Sequence, residues 1–169
     1  MIAVFGDPLS RLAPLRSAPE TETSHRLHST GGSHRAVVIG VDIGRLRTRR
    51  QLRAKLRAIA AQCAVLCGGF TRLEHILVIV NGSPAISEDA VHRICESTAT
   101  HIHARLEQAC ARSIIITVLL AEHCEDHRGL AHRIIARSRQ RESLDTAIAL
   151  RWKDIVHTPI STVAANTYL

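Results

Sequence analysis

The chain has 169 residues, 46% hydrophobic and 22% charged, which is ordinary material for one globular domain. Its formal net charge of +7 favours anionic partners: nucleotides, nucleic acid or acidic membrane surfaces. An aromatic content of 2% excludes a base-stacking platform of the single-strand-binding type, and no run approaches the length of a membrane span.

Residues 1–35 are rich in Ser, Thr, Pro, Gly and His and read as a flexible leader. The first residues lack the basic start and long apolar segment of a secretory signal. "AVVIGV", 36–41, is a short β-branched run that predicts a fully buried strand. From Leu46 the spacing changes: Leu46, Leu52, Leu56, Ile59 and Cys63 recur near a period of 3.6 with Arg and Lys between them, an amphipathic helix. "CGGF", 67–70, stops it, and "HILVIV", 75–80, is a second buried strand.

Ser87 before Glu88 and Asp89 predicts a second helix start. Val91, Ile94, Cys95, Thr98, Ile102, Leu106 and Ala109 are its apolar stripe. "SIIITVLL", 113–120, predicts a third strand, "LAHRIIARSRQ" a third helix and "TAIALRW" a fourth strand. Apolar strands joined by helix-length crossovers imply an α/β fold in the order β-α-β-α-β-α-β. The expectation is a Rossmann-like three-layer sandwich over residues 36–159, with a mostly parallel sheet, right-handed crossovers and a C-terminal tail at 160–169.

Ligands of such sheets bind beyond the carboxyl ends of the strands. Four segments fall there: Gly40–Gly44, Asn81–Pro84, Glu122–Gly129 and Trp152–Asp154. Asn81 both donates and accepts hydrogen bonds, and Ser83 offers a hydroxyl near a helix start, where free amides favour an anion. The same residues are also those of a plain strand-to-helix turn.

With these segments in register, the chain resembles the nucleotide-sugar-binding half of family 2 glycosyltransferases, which have the GT-A fold. "AVVIGV…RRQLRAKLRAIAAQC" looks like that family's opening strand and helix, and "HILVIVNGSPAISEDAV" like its second strand with an Asp/Asn-Gly-Ser turn. "EDHRGLAHRIIARS" is similar to its Asn-x-Gly-Leu-Ala segment, and "AIALRWKDIVHTP" occupies the place of the strand carrying Asp-x-Asp. Here that motif reads Trp152, Lys153, Asp154, with only the second acid. The resemblance implies a nucleotide-sugar-binding domain, a glycosyltransferase or a truncated, non-catalytic relative. Asp42, Asn81, Ser83, Arg128 and Gly129 would lie against the nucleotide, and Asp154 against a divalent metal, Mg²⁺ or Mn²⁺.

A second likeness is to the tRNA-dependent cyclodipeptide synthases, in "VVIGVDIG", the amphipathic helix after it and "HILVIV". It implies a Rossmann-like domain with a basic helix for RNA. Asp42 stands where their nucleophilic Ser would be.

The densest positive feature is "RLRTRRQLRAKLR", 45–57, which has no acid. Helical spacing puts Arg49, Arg53 and Arg57 near one line, with Arg50 alongside and Arg45 ahead of them. Such a stripe suits a phosphate backbone, and equally a solvated helix face. His123, Cys124 and His127 read as a polar loop rather than a metal site. The five cysteines, with no CxxC, read as reduced, mostly buried thiols of a cytoplasmic protein. The uncharged end of the chain offers itself for pairing with another chain.

Overall fold

The computed structural model describes residues 1–23, 34–141 and 146–167. In chain order the elements are β1 (Ile2–Gly6), a 3₁₀ turn (Ser10–Leu12), α1 (Ala13–Arg16), β2 (Thr21–Thr23), β3 (Ala36–Val41) and α2 (Arg49–Gly69). Then follow β4 (His75–Val80), α3 (Glu88–Cys110), β5 (Ile115–Leu120), α4 (His127–Ser138), β6 (Ala147–Arg151), α5 (Trp152–Ile155) and α6 (Ile160–Thr167). All six strands are parallel, in the order β2-β1-β3-β4-β5-β6. The α/β three-layer sandwich expected from the apolar runs is therefore present. β3 and β4 are buried at every position because helices cover both faces.

The sheet begins earlier than the sequence reading placed it. Ile2–Gly6, inside the segment read as a leader, pairs with β3 from Ile2↔Ala36 to Gly6↔Gly40. "IAVF" has the same apolar signature as the other strands, but the polar stretch behind it masked that signature. Leu12 and Leu15 are fully buried as well. The rest of the supposed leader, residues 24–33, lies outside the described residues. At the other end, residues 160–167 form α6 rather than a tail, and Ile160 and Ala164 sit in the core.

Side-chain alternation splits each strand between two cores. Val37, Ile39 and Val41 of β3, with Ile76, Val78 and Val80 of β4, face α2 and α3. Val38, Leu77, Ile79 and Leu119 face the opposite way, onto α1, α4 and α6. The sheet steps the same way from β3 to β4, β4 to β5 and β5 to β6, yet α4 lies on the face opposite to α2 and α3. The crossover through α4 therefore has the opposite hand, and the expectation of uniformly right-handed crossovers fails there. The reason is coverage: a third long helix on the first face would leave Val38, Leu77, Ile79 and Leu119 bare.

α2 starts at a capping box. Thr48 Oγ1 accepts from Gln51 N–H at 3.2 Å, and Gln51 Oε1 accepts from Thr48 N–H at 3.1 Å. The ends of α2 and α3 are joined by a Cys67–Cys110 disulfide, Cα–Cα 6.7 Å, which corrects the reading of all five cysteines as free thiols. Cys63, Cys95 and Cys124 are free and buried, and burial pushes the thiols of Cys63 and Cys95 up to about 12.

Candidate functional site

Two surfaces compete. The first is the rim at the carboxyl ends of the strands. The reversal of strand order between β1 and β3 brings Asp7 and Asp42 together there. Gly6 makes the approach possible: its φ is +83°, and a Cβ would lie 2.3 Å from the Gly40 carbonyl oxygen. Asp7 Oδ2 accepts from the Asp42 N–H at 2.7 Å and from Lys55 Nζ at 2.8 Å. Lys55 also donates to the Asp42 carbonyl at 2.8 Å. Burial pushes the Asp7 carboxyl up, but the Lys55 hydrogen bond, the Asp42 N–H and the Lys55 charge outweigh it and hold it below its ordinary value.

Asp42 Oδ1 accepts from Gly44 N–H at 2.9 Å and from Asn81 Nδ2 at 3.4 Å. The rim thus brings Asp42 and Asn81 together. The other residues named from the sequence are engaged elsewhere. Ser83 is buried, and its hydroxyl donates to the Leu46 carbonyl at 3.0 Å, tying two loops together. Gly129 N–H donates to Asp126 Oδ1 at 2.8 Å, the N-cap of α4, and a Cβ there would collide with that carboxylate. Arg128 lines a separate groove between α1 and α4 with Pro14, Pro19, His132 and Arg139. Asp154 Oδ2 accepts from Arg151 N–H at 2.9 Å and caps α5. Among the described residues no three His, Cys, Asp or Glu side chains converge on a metal position, at Asp154 or at His123, Cys124 and His127. No metal step is derived from this set.

The second surface is the outer side of α2 and α3. Arg45, Arg49, Arg50, Arg53 and Arg57 are all exposed. No ion pair or side-chain hydrogen bond engages them among the described residues. Lys55, within the same run, is the exception, turned inward to Asp7. Arg53 and Arg57 continue into a groove of about 550 Å³ between the two helices. Leu56 and Ile94 form part of its lining with Arg93, Ser97, Thr98, His101 and Arg105, and no carboxylate lines it among the described residues.

Sequence reasoning missed Arg93 and Arg105, because they lie on a different helix from the basic run. Their spacing on α3, opposite the buried stripe, was the available signal.

α2 also breaks an electrostatic rule. Its first turn has no acid and carries Arg49 and Arg50, against the positive end of the helix dipole. The opposite arrangement would be the stabilising one, typically by about 0.3–1 kcal/mol per charge. All of the cations in this groove are arginines, and only Lys55 and Lys153 are lysines among the 22 Lys and Arg residues of the chain. The planar guanidinium fork matches two phosphate oxygens at once, which an ammonium does not.

No protein-family model, no curated protein and no solved structure matches this chain.

Proposed function

We propose that this protein is a Rossmann-like nucleic-acid-binding domain that engages phosphates through the α2–α3 face. The observation carrying this reading is the groove in which Arg53 and Arg57 of α2 meet Arg93 and Arg105 of α3 with no carboxylate among the described residues of its lining. An acidic membrane surface fits less well. Interfacial binding needs an apolar face, and the exposed large hydrophobics among the described residues are Met1 and Val65. The test is fluorescence anisotropy with a labelled 20-base-pair RNA duplex. Wild type binds, and Arg53→Ala/Arg57→Ala weakens binding at least tenfold; equal binding by both overturns the reading.

A second reading keeps the nucleotide-sugar proposal and rests on the meeting of Asp42 with Asn81 at 3.4 Å. It ranks lower because Lys55 is already taken up by Asp7, and Asp42 leaves that rim a negative charge opposed to a pyrophosphate, while Arg128 and Asp154 are engaged elsewhere. Thermal shift with UDP-, GDP- and dTDP-sugars, with and without Mn²⁺, tests it: no shift at millimolar ligand discards it.

A further inference from the structure

The basic surface does not stop at the groove. α2 and α3 run opposite to the strands, so the foot of α3 delivers the chain to the amino edge of the sheet. One arginine stands ahead of each of four neighbouring strands there: Arg35 before β3, Arg72 before β4, Arg112 before β5 and Arg141 before β6. All four line one open basin of about 950 Å³, with the hydroxyl-bearing Thr71 and Ser113.

The one acid among the described residues of that lining, Glu74, is taken up by Arg35 at 2.6 Å. Arg112 is held in place by the carbonyls of Cys67, Phe70 and Thr71, which fix its direction without neutralising its charge. No carboxylate pairs with Arg72, Arg112 or Arg141 among the described residues. Neighbouring strands are about 4.8 Å apart, so the row is about 14 Å long.

Resting on the nucleic-acid reading above, we infer that this arginine row is a second phosphate-binding site, and that the ligand is a nucleic acid long enough to reach it from the groove. The groove runs along α3 from Arg93 to Arg105, about 18 Å at the helical rise. Arg105 lies in the last turns of α3, which ends at Cys110, and Arg112 follows just beyond that end, so the chain leads from the groove to the basin. An A-form RNA duplex of six base pairs covers about 17 Å and fills the groove alone, whereas twenty base pairs run past it.

The phosphates and not the bases are what this surface reads. Phe5, Phe70 and Trp152 are buried, so no described aromatic residue is free to stack on a base.

The experiment compares 6- and 20-base-pair RNA duplexes by anisotropy, across a salt series, on the full chain. Wild type is set against Arg72→Ala/Arg141→Ala and Arg53→Ala/Arg57→Ala. Arg72 and Arg141 are exposed and pair with no carboxylate among the described residues, so their removal leaves the fold intact, which circular dichroism verifies. The inference expects Arg72→Ala/Arg141→Ala to bind the 20-mer about tenfold more weakly, with a salt slope smaller by about 2, and the 6-mer unchanged. Loss on neither duplex, or equal loss on both, overturns this inference. If the 20-mer binding depends on Arg53 and Arg57 alone, the proposed function stands and the second site falls. If neither duplex binds wild type, or only phosphatidylserine vesicles do, both fall together.

Discussion

Lys55 Nζ lies 2.8 Å from Asp7 Oδ2, a bond that ties the second turn of α2 to the end of β1 across 48 positions of sequence. The lysine within the most basic stretch of the chain is therefore neutralised by a carboxylate of its own fold. Lys55→Met should lower the melting temperature by about 2–4 °C and leave duplex affinity within twofold of wild type. Arg53→Ala, two positions away, should do the reverse. Thermal melts and anisotropy on the same two variants separate structural charge from binding charge.

The Asp7 carboxyl titrates below its ordinary value, so its contribution to stability is complete above 3.8 and is lost as the pH falls through the lower folded value. Asp7→Asn should therefore be less stable than wild type at neutral pH. The gap should close as the pH is taken below 3.8, which urea melts across an acid series would follow.

His75 opens β4 with its ring buried and Nε2 donating to the Gln140 carbonyl at 2.8 Å. Burial pushes its pKa below 6.5 and outweighs that bond, with the Arg137 and Arg35 charges adding to the same direction. The unfolded chain then takes up the proton first, so stability is complete above 6.5 and declines as the pH falls through and below it. Substituting His75→Asn should flatten the dependence of the urea midpoint between pH 6.5 and 5, while the wild type loses stability across that window.

Joining Cys67 to Cys110 closes a loop with a sequence separation of 43. Reduction should cost about 2–4 kcal/mol on the chain-entropy account. Cys67→Ser/Cys110→Ser should melt where the reduced wild type melts, and dithiothreitol should not shift it further. A shift of the double variant by dithiothreitol would contradict the pairing.

Much of this fold was legible because a parallel sheet covered on both faces writes itself as short apolar runs. "AVVIGV" and "HILVIV" are strands with the bounds their composition suggests. Ile2–Phe5 carries the same signal, but its neighbours Gly6, Asp7 and Pro8 and the polar stretch beyond them read as a leader. The hand of the α4 crossover could not be read from the sequence. It depends on which face is left bare, a property of the assembled sheet.

Of the site, the Arg49, Arg53 and Arg57 line was visible because it is periodic on a single helix. Arg93 and Arg105 needed the packing of α3 beside α2. Arg35, Arg72, Arg112 and Arg141 are far apart in sequence and become a row only when their strands pair. Ser83, Gly129 and Asp154 looked like ligand contacts because turn and cap residues are the same residues that ligands use.

The most direct measurement is the salt dependence of 20-base-pair duplex binding by wild type and by Arg49→Ala/Arg53→Ala/Arg57→Ala. Each neutralised phosphate contributes about −0.9 to the slope of log K against log salt. The predicted result is a steep wild-type line and a triple-variant line shallower by about 2 to 3, with weaker binding at every salt concentration. A flat wild-type line between low and moderate salt, or two lines that coincide, would contradict the account.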